Sequence, residues 1–66
     1  MEFSQKLADL RRREGFSQEQ LADRLGVTRQ SVSKWEGGAA MPDIGKLISL
    51  SELFGVSVDY LVKEYL

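Results

Sequence analysis

Arg29, Gln30, Ser33 and Lys34 fall within one six-residue stretch, and each ends in a hydrogen-bonding group. Arginine and lysine can donate to guanine O6 and N7, and a glutamine amide can pair with adenine N6 and N7. That chemistry, the reading of base edges, requires the four side chains to share a face. On a helix turning ~100° per residue they do. Thr28, Val32 and Trp35 fall together with Glu36 beside them, which defines a buried side. Gln30 and Lys34 point almost directly away, Ser33 lies between them and the edge, and Arg29 projects sideways from the first turn. No acid lies on this outward face. The helix N-terminus would add the positive end of a dipole, suited to phosphate. An ordinary solvated helix surface has a similar composition, so the face alone leaves both readings open.

The elements that must position this face are written in their ends. Phe3, Leu7 and Leu10 make an amphipathic helix of residues 3–14, and Gly15 supplies a left-handed stop. Ser17 and Gln20 form a capping box for a second helix, with Phe16 and Leu21 as its hydrophobic staple. That helix buries Leu21, Ala22 and Leu25 and stops at Gly26. Thr28 caps the third helix, Val27 and Val32 repeat the staple, and Gly37 and Gly38 close it. After "AAMP", Asp43 caps a fourth helix carrying Leu47, Leu50 and Phe54, ended by Gly55. Ser57 opens a fifth, with a Val56–Leu61 staple and Val58, Leu61, Val62 and Tyr65 as its apolar residues. Nothing reads as a strand. The expected class is all-α, a compact five-helix domain with a helix-turn-helix at about residues 18–37. Gly45, near the start of the fourth helix, has no explanation at this level.

The chain has 66 residues, enough for one small domain. With no cysteine and no histidine, disulfides are excluded and no metal site is expected. Ten carboxylates occur, but none in a catalytic or phosphate-cradling motif, so neither an enzyme nor a cofactor is expected. No apolar run is long enough for a membrane span or signal peptide, and the expected location is the cytoplasm, at the nucleoid when bound to DNA. The formal net charge of −1 argues against an indiscriminate polycation without excluding a local basic face.

The segment "QEQLADRLGVTRQSVSKWEGG", residues 18–38, resembles the helix-turn-helix repressors of the phage lambda and 434 class, also called the Xre family. Ala22 matches the small residue where the two helices touch, and Gly26 the turn glycine; "LSELFGVSVDYLV" resembles the family's last two helices. The resemblance implies a sequence-specific double-stranded DNA-binding domain of a prokaryotic or phage transcriptional regulator, most simply a repressor. It implies base reading by Arg29, Gln30 and Lys34, to which the outward face adds Ser33, and a place near the backbone or the bases for Ser31; backbone contacts are expected from Gln18, Thr28, Ser31, Arg11, Gly38 and Ala39. Gln18 would also brace the third helix, or serve merely as its own helix's first residue. Arg11 shares a stripe with Leu7, and Glu36 borders a buried side; a lone buried charge would cost several kcal/mol, so each suggests the other as partner. The family has such a pair, although two solvated charges are the open alternative. One departure stands out: family members often carry a basic residue after the glycine following helix 3, where this chain reads Ala39-Ala40. "RRR" at 11–13 compensates only in part, because consecutive residues fan around a helix, and a shallow salt slope is expected.

One such domain reads about half a turn of DNA, so a homodimer on a two-fold operator is expected, with half-sites ~10 bp apart in the major groove. Tyr60, Val62, Tyr65 and Leu66 are the candidate interface, unless the last helix simply covers the core. The apolar ending at Leu66, without a glycine or proline stop, suggests the N-terminal part of a longer regulator. A DNA-binding antitoxin, or a protein-interaction module of the same fold, are the alternative functions.

Overall fold

The computed structural model describes residues 1–63. Five α-helices make up this part of the chain: α1 (Phe3–Arg13), α2 (Gln18–Leu25), α3 (Arg29–Glu36), α4 (Ile44–Phe54) and α5 (Val58–Val62). Four of the five begin at the expected cap. The hydroxyl of Ser17 accepts from the Gln20 N–H and completes a capping box, and Thr28, Asp43 and Ser57 each accept from the N–H three residues on. Such caps each contribute ~1 kcal/mol by satisfying a donor that the helix leaves unpaired.

Every helix places one aliphatic side chain wholly out of water. Leu7, Leu21, Val32, Leu50 and Leu61 are all 0 % exposed, one each from α1 to α5. Around them pack Phe3, Leu10, Ala22, Leu25, Trp35 and Leu47. The principal packing partners form a closed ring in the order α1, α3, α2, α4, α5 and back to α1. α1 therefore closes two seams, one with α3 and one with α5. Removing a buried leucine costs ~2–5 kcal/mol. That is comparable to the whole stability of a domain this small, ~3–5 kcal/mol.

Two expectations are corrected. Thr28 is exposed rather than on the buried side, because it stands before α3 in extended backbone (φ −85°, ψ 155°), where helical periodicity does not apply. The fifth helix ends at Val62, and Lys63 is extended (φ −94°, ψ 123°), so the expected run of helix is broken before Tyr65. A buried cation sits at this end. Lys6 of α1, 1 % exposed, donates from Nζ to the carbonyls of Tyr60 (2.6 Å) and Lys63. The Tyr60 carbonyl that would continue the helix is thereby taken.

Left-handed glycines follow α1 to α4, and Gly26 (φ +69°) matters most because it sets the α2–α3 turn. Its N–H bonds to Asp23 O, and the Val27 N–H to Ala22 O. An alanine there is expected to destabilise by about 1–2 kcal/mol, the cost of left-handed backbone. Gly45 has no such need: its backbone is not left-handed, and an added Cβ would meet only Asp43 Oδ1 at 3.4 Å. Gly45→Ala should therefore stabilise the domain by about 0.5 kcal/mol. Urea unfolding checks both, the midpoints moving in opposite directions with unchanged slope.

Candidate nucleic-acid interface

The α2–α3 unit has the most extensive packing of any helix pair. Ala22, 2 % exposed, keeps α2 free of bulk on its buried side. Val32 and Trp35 pin the inner side of α3, and this leaves Arg29, Gln30, Ser33 and Lys34 all exposed on the outer side. Ser31 is half-buried beside the cap; its hydroxyl lies 3.2 Å from that of Thr28. The Thr28 oxygen also accepts from the Ser31 N–H, so the two hydroxyls share one proton between them and leave the other for an outside acceptor.

The one acid of α3 is turned inward. The side chain of Glu36 is 7 % exposed and that of Arg11 12 %, and they meet in a two-pronged pair: Arg11 Nε to Oε2 at 2.6 Å and Nη2 to Oε1 at 3.0 Å. Arg11 Nη1 also donates to the Phe16 carbonyl at 2.9 Å, which fastens the α1–α2 turn. Gln18 Nε2 donates to Glu36 Oε1 at 3.1 Å, and Gln18 Oε1 accepts from Arg29 Nη1 at 3.4 Å. A continuous polar chain thus runs from α1 through the end of α3 and the start of α2 to the first residue of α3. It also orients the Gln18 amide, with nitrogen toward Glu36 and oxygen toward Arg29. The hydrogen bond to Glu36, opposed by burial and helped by the carboxylate charge, holds the Arg11 guanidinium above its already high ordinary pKa. Arg11 therefore stays charged at any working pH.

Other expected contact residues sit differently. The N–H groups of Gly38 and Ala39 donate to Trp35 O (3.3 Å) and Lys34 O (2.9 Å), closing α3 in a Schellman motif around Gly38 (φ +78°). They are engaged within the protein. Arg12 is exposed and only 4.0 Å from Asp9, a loose solvated pair, and Arg13 is exposed. Of the candidate interface residues, Val62 is 39 % exposed, while Tyr60 is half-buried against the core with the Lys6 ammonium 4.7 Å from its ring centre. Tyr65 and Leu66 lie outside the described residues.

Two features escaped the sequence reading. Lys6 is buried, and the available signal was its place on the same α1 stripe as Phe3, Leu7 and Leu10, where a hydrophobe is expected. Met41, Ile44 and Ile48 are 55 %, 65 % and 45 % exposed, and the spacing of Ile44 and Ile48, one turn apart on α4, would have revealed that pair. Among the described residues no group of acidic, histidine or cysteine side chains could hold a metal ion, and no helix is long and apolar enough to cross a membrane.

Comparison with known proteins places this geometry in context. The family model for Helix-turn-helix matches residues 7–61. The chain is 46 % identical over 61 residues to an SPbeta prophage-derived uncharacterized HTH-type transcriptional regulator of Bacillus subtilis, covering 92 % of this chain and 56 % of that protein. It is 44 % identical over 62 residues to the HTH-type transcriptional activator BcrR of Enterococcus faecalis, covering 94 % and 30 %. The chain thus spans roughly half, or less, of the length of these relatives. Among solved structures, the P22 c2 repressor in complex with a synthetic operator superposes with a TM-score of 0.90 at 27 % identity, covering 96 % of both chains.

The ion pair invites a direct test. Glu36→Ala should destabilise the domain by about 1–3 kcal/mol, because it leaves a part-buried guanidinium without its carboxylate. The double variant Arg11→Met/Glu36→Leu should recover most of that loss. Denaturant titration followed by the fluorescence of Trp35, the single tryptophan, measures both.

Proposed function

The chain belongs to the helix-turn-helix family, and from that premise we propose that it binds double-stranded DNA sequence-specifically as a transcriptional regulator. The observation that carries the reading is the exposed, acid-free face of α3, braced from behind by the Arg11–Glu36–Gln18 chain. α3 enters the major groove with Arg29, Gln30, Ser33 and Lys34 at the base edges. Gln18, Thr28 and Ser31 lie along the phosphates, with Arg11 behind them. Gly38 and Ala39 approach the backbone through their small size, since their N–H groups already serve α3. The relative named as an activator and the solved structure named as a repressor bracket the possible outputs. Repression is the mode that occupancy alone produces, and it is the output we assign. The domain is a non-catalytic one, acting in the cytoplasm as the N-terminal part of a longer regulator.

On DNA, two copies pair across a two-fold operator with half-sites ~10 bp apart, contributing Tyr60 and Val62 to the contact. A second reading, a DNA-binding antitoxin or a protein-interaction module, is favoured by the exposed Met41, Ile44 and Ile48. A protein that co-purifies and covers these residues, with no duplex binding at low salt, would establish the interaction module.

In vitro selection from random duplexes tests the main reading. A two-fold motif with guanine or adenine at defined positions is the expected product, and no enrichment at low salt overturns it. On the selected site, Gln30→Ala should weaken binding by about 1–3 kcal/mol and relax preference at one base pair. Gln18→Ala should instead weaken all sites about equally. The salt slope, about −0.9 for each phosphate neutralised, should be shallow because few cations line the proposed backbone contacts and few phosphates are neutralised.

A further inference from the structure

Lys6 is used neither by the hydrophobic core nor by the proposed DNA face, yet it is among the most deeply buried side chains of the domain. An ammonium group has three protons and no acceptor. Two point to the carbonyls of Tyr60 and Lys63, and the group lies over the Tyr60 ring, 4.7 Å from its centre. These partners stand at the C-terminal end of α5, where the helix dipole is negative. Five residues are too few for a helix to hold itself together, so α5 depends on its attachments. It is held by Leu61 in the core, by Val58 and Tyr60 packed against that core, and by this cation at its end.

Lys63, the second carbonyl partner, is the C-cap of α5, in extended backbone beside the exposed Val62. We propose that Lys6 is a positioning residue, a latch that fixes the end of α5. Resting on the homodimer reading above, the latch sets the presentation of Tyr60 and Val62 to the second copy, and therefore the half-site spacing that the pair accepts. The recognition helix is untouched, because Lys6 makes no hydrogen bond to α3.

Lys6→Met tests the latch, since methionine occupies similar space without the ammonium. In the free protein, amide exchange at Leu61 and Lys63, whose N–H groups bond to Ser57 and Asp59 carbonyls, should quicken about tenfold or more. Exchange at Val32 in α3 should change less than about twofold under the same conditions. On DNA, the variant should keep the parent's affinity for a single half-site while losing its discrimination between operators whose spacing differs by one base pair. Unchanged exchange at Leu61 and Lys63, or a rise shared equally by Val32, overturns the latch. So does unaltered spacing discrimination in a protein that pairs on DNA. If the parent itself shows no two-fold binding, the homodimer reading fails, and the exchange data still decide whether Lys6 holds α5. Should Lys6→Met fail to fold, the parent suffices. The Lys6 ammonium protons should persist in nitrogen-15 spectra at near-neutral pH while those of exposed Lys34 are lost to water, and equal loss at both overturns the proposal.

Discussion

The pairing of Glu36 with Arg11 is the interaction on which the exposed face of α3 depends. α3 has eight residues, too short to hold a fixed orientation by its own hydrogen bonds. Val32 and Trp35 bury one side, but apolar contact is non-directional and fixes a helix's rotation only loosely. The two-pronged bond from Arg11 adds direction, because a guanidinium and a carboxylate meet in one plane. It also removes the only negative charge of α3 from the outer surface. Stability and electrostatics are thereby served by one contact: the helix is locked in rotation, and its exposed face is left with cations and neutral polar groups.

α1 contributes this lock and another like it. In the ring of packed helices α1 touches α3 on one side and α5 on the other, and a buried cation stands at each seam: Arg11 toward Glu36, Lys6 toward the α5 carbonyls. Their partners differ, and so does the physical consequence. Arg11 faces a carboxylate that brings its own desolvation cost, offset by a chain of further hydrogen bonds through Gln18 and Phe16. Lys6 faces carbonyls that a helix end leaves unpaired in any case, so one cation meets two acceptors that need donors. A chain of 66 residues without cysteine gains from such contacts a definite arrangement that its small apolar core specifies only in part.

The same economy governs the surface. With Arg11 and Lys6 committed inward and Ala39 and Ala40 at the loop after α3, little charge is left immediately around the α2–α3 unit to attract phosphate. Arg29 and Lys34 stand out against this quiet background. Such a balance favours contacts that require fit over those that require only charge.

Helix order, caps and the outward set of α3 were legible in the amino-acid sequence, down to the capping box at Ser17–Gln20 and the turn at Gly26, because these are decided within one helical turn. Hydrogen bonds from a side chain to an amide three residues away, staples spanning five residues and periodicity along a single helix need no knowledge of the rest of the chain. Even the Arg11–Glu36 pair was foreshadowed, since each charge sits at the border of its own apolar stripe. Thr28 was misplaced because a helical wheel was extended to a residue whose backbone is not helical. The end of α5 and the burial of Lys6 were decided by tertiary structure alone. Lys6 meets its carbonyl partners across 54 and 57 residues of chain, and only the closed ring of helices brings them together. The residue type states that a cation is present; which carbonyls it can reach, and hence whether it is solvated or buried, is a property of the folded packing.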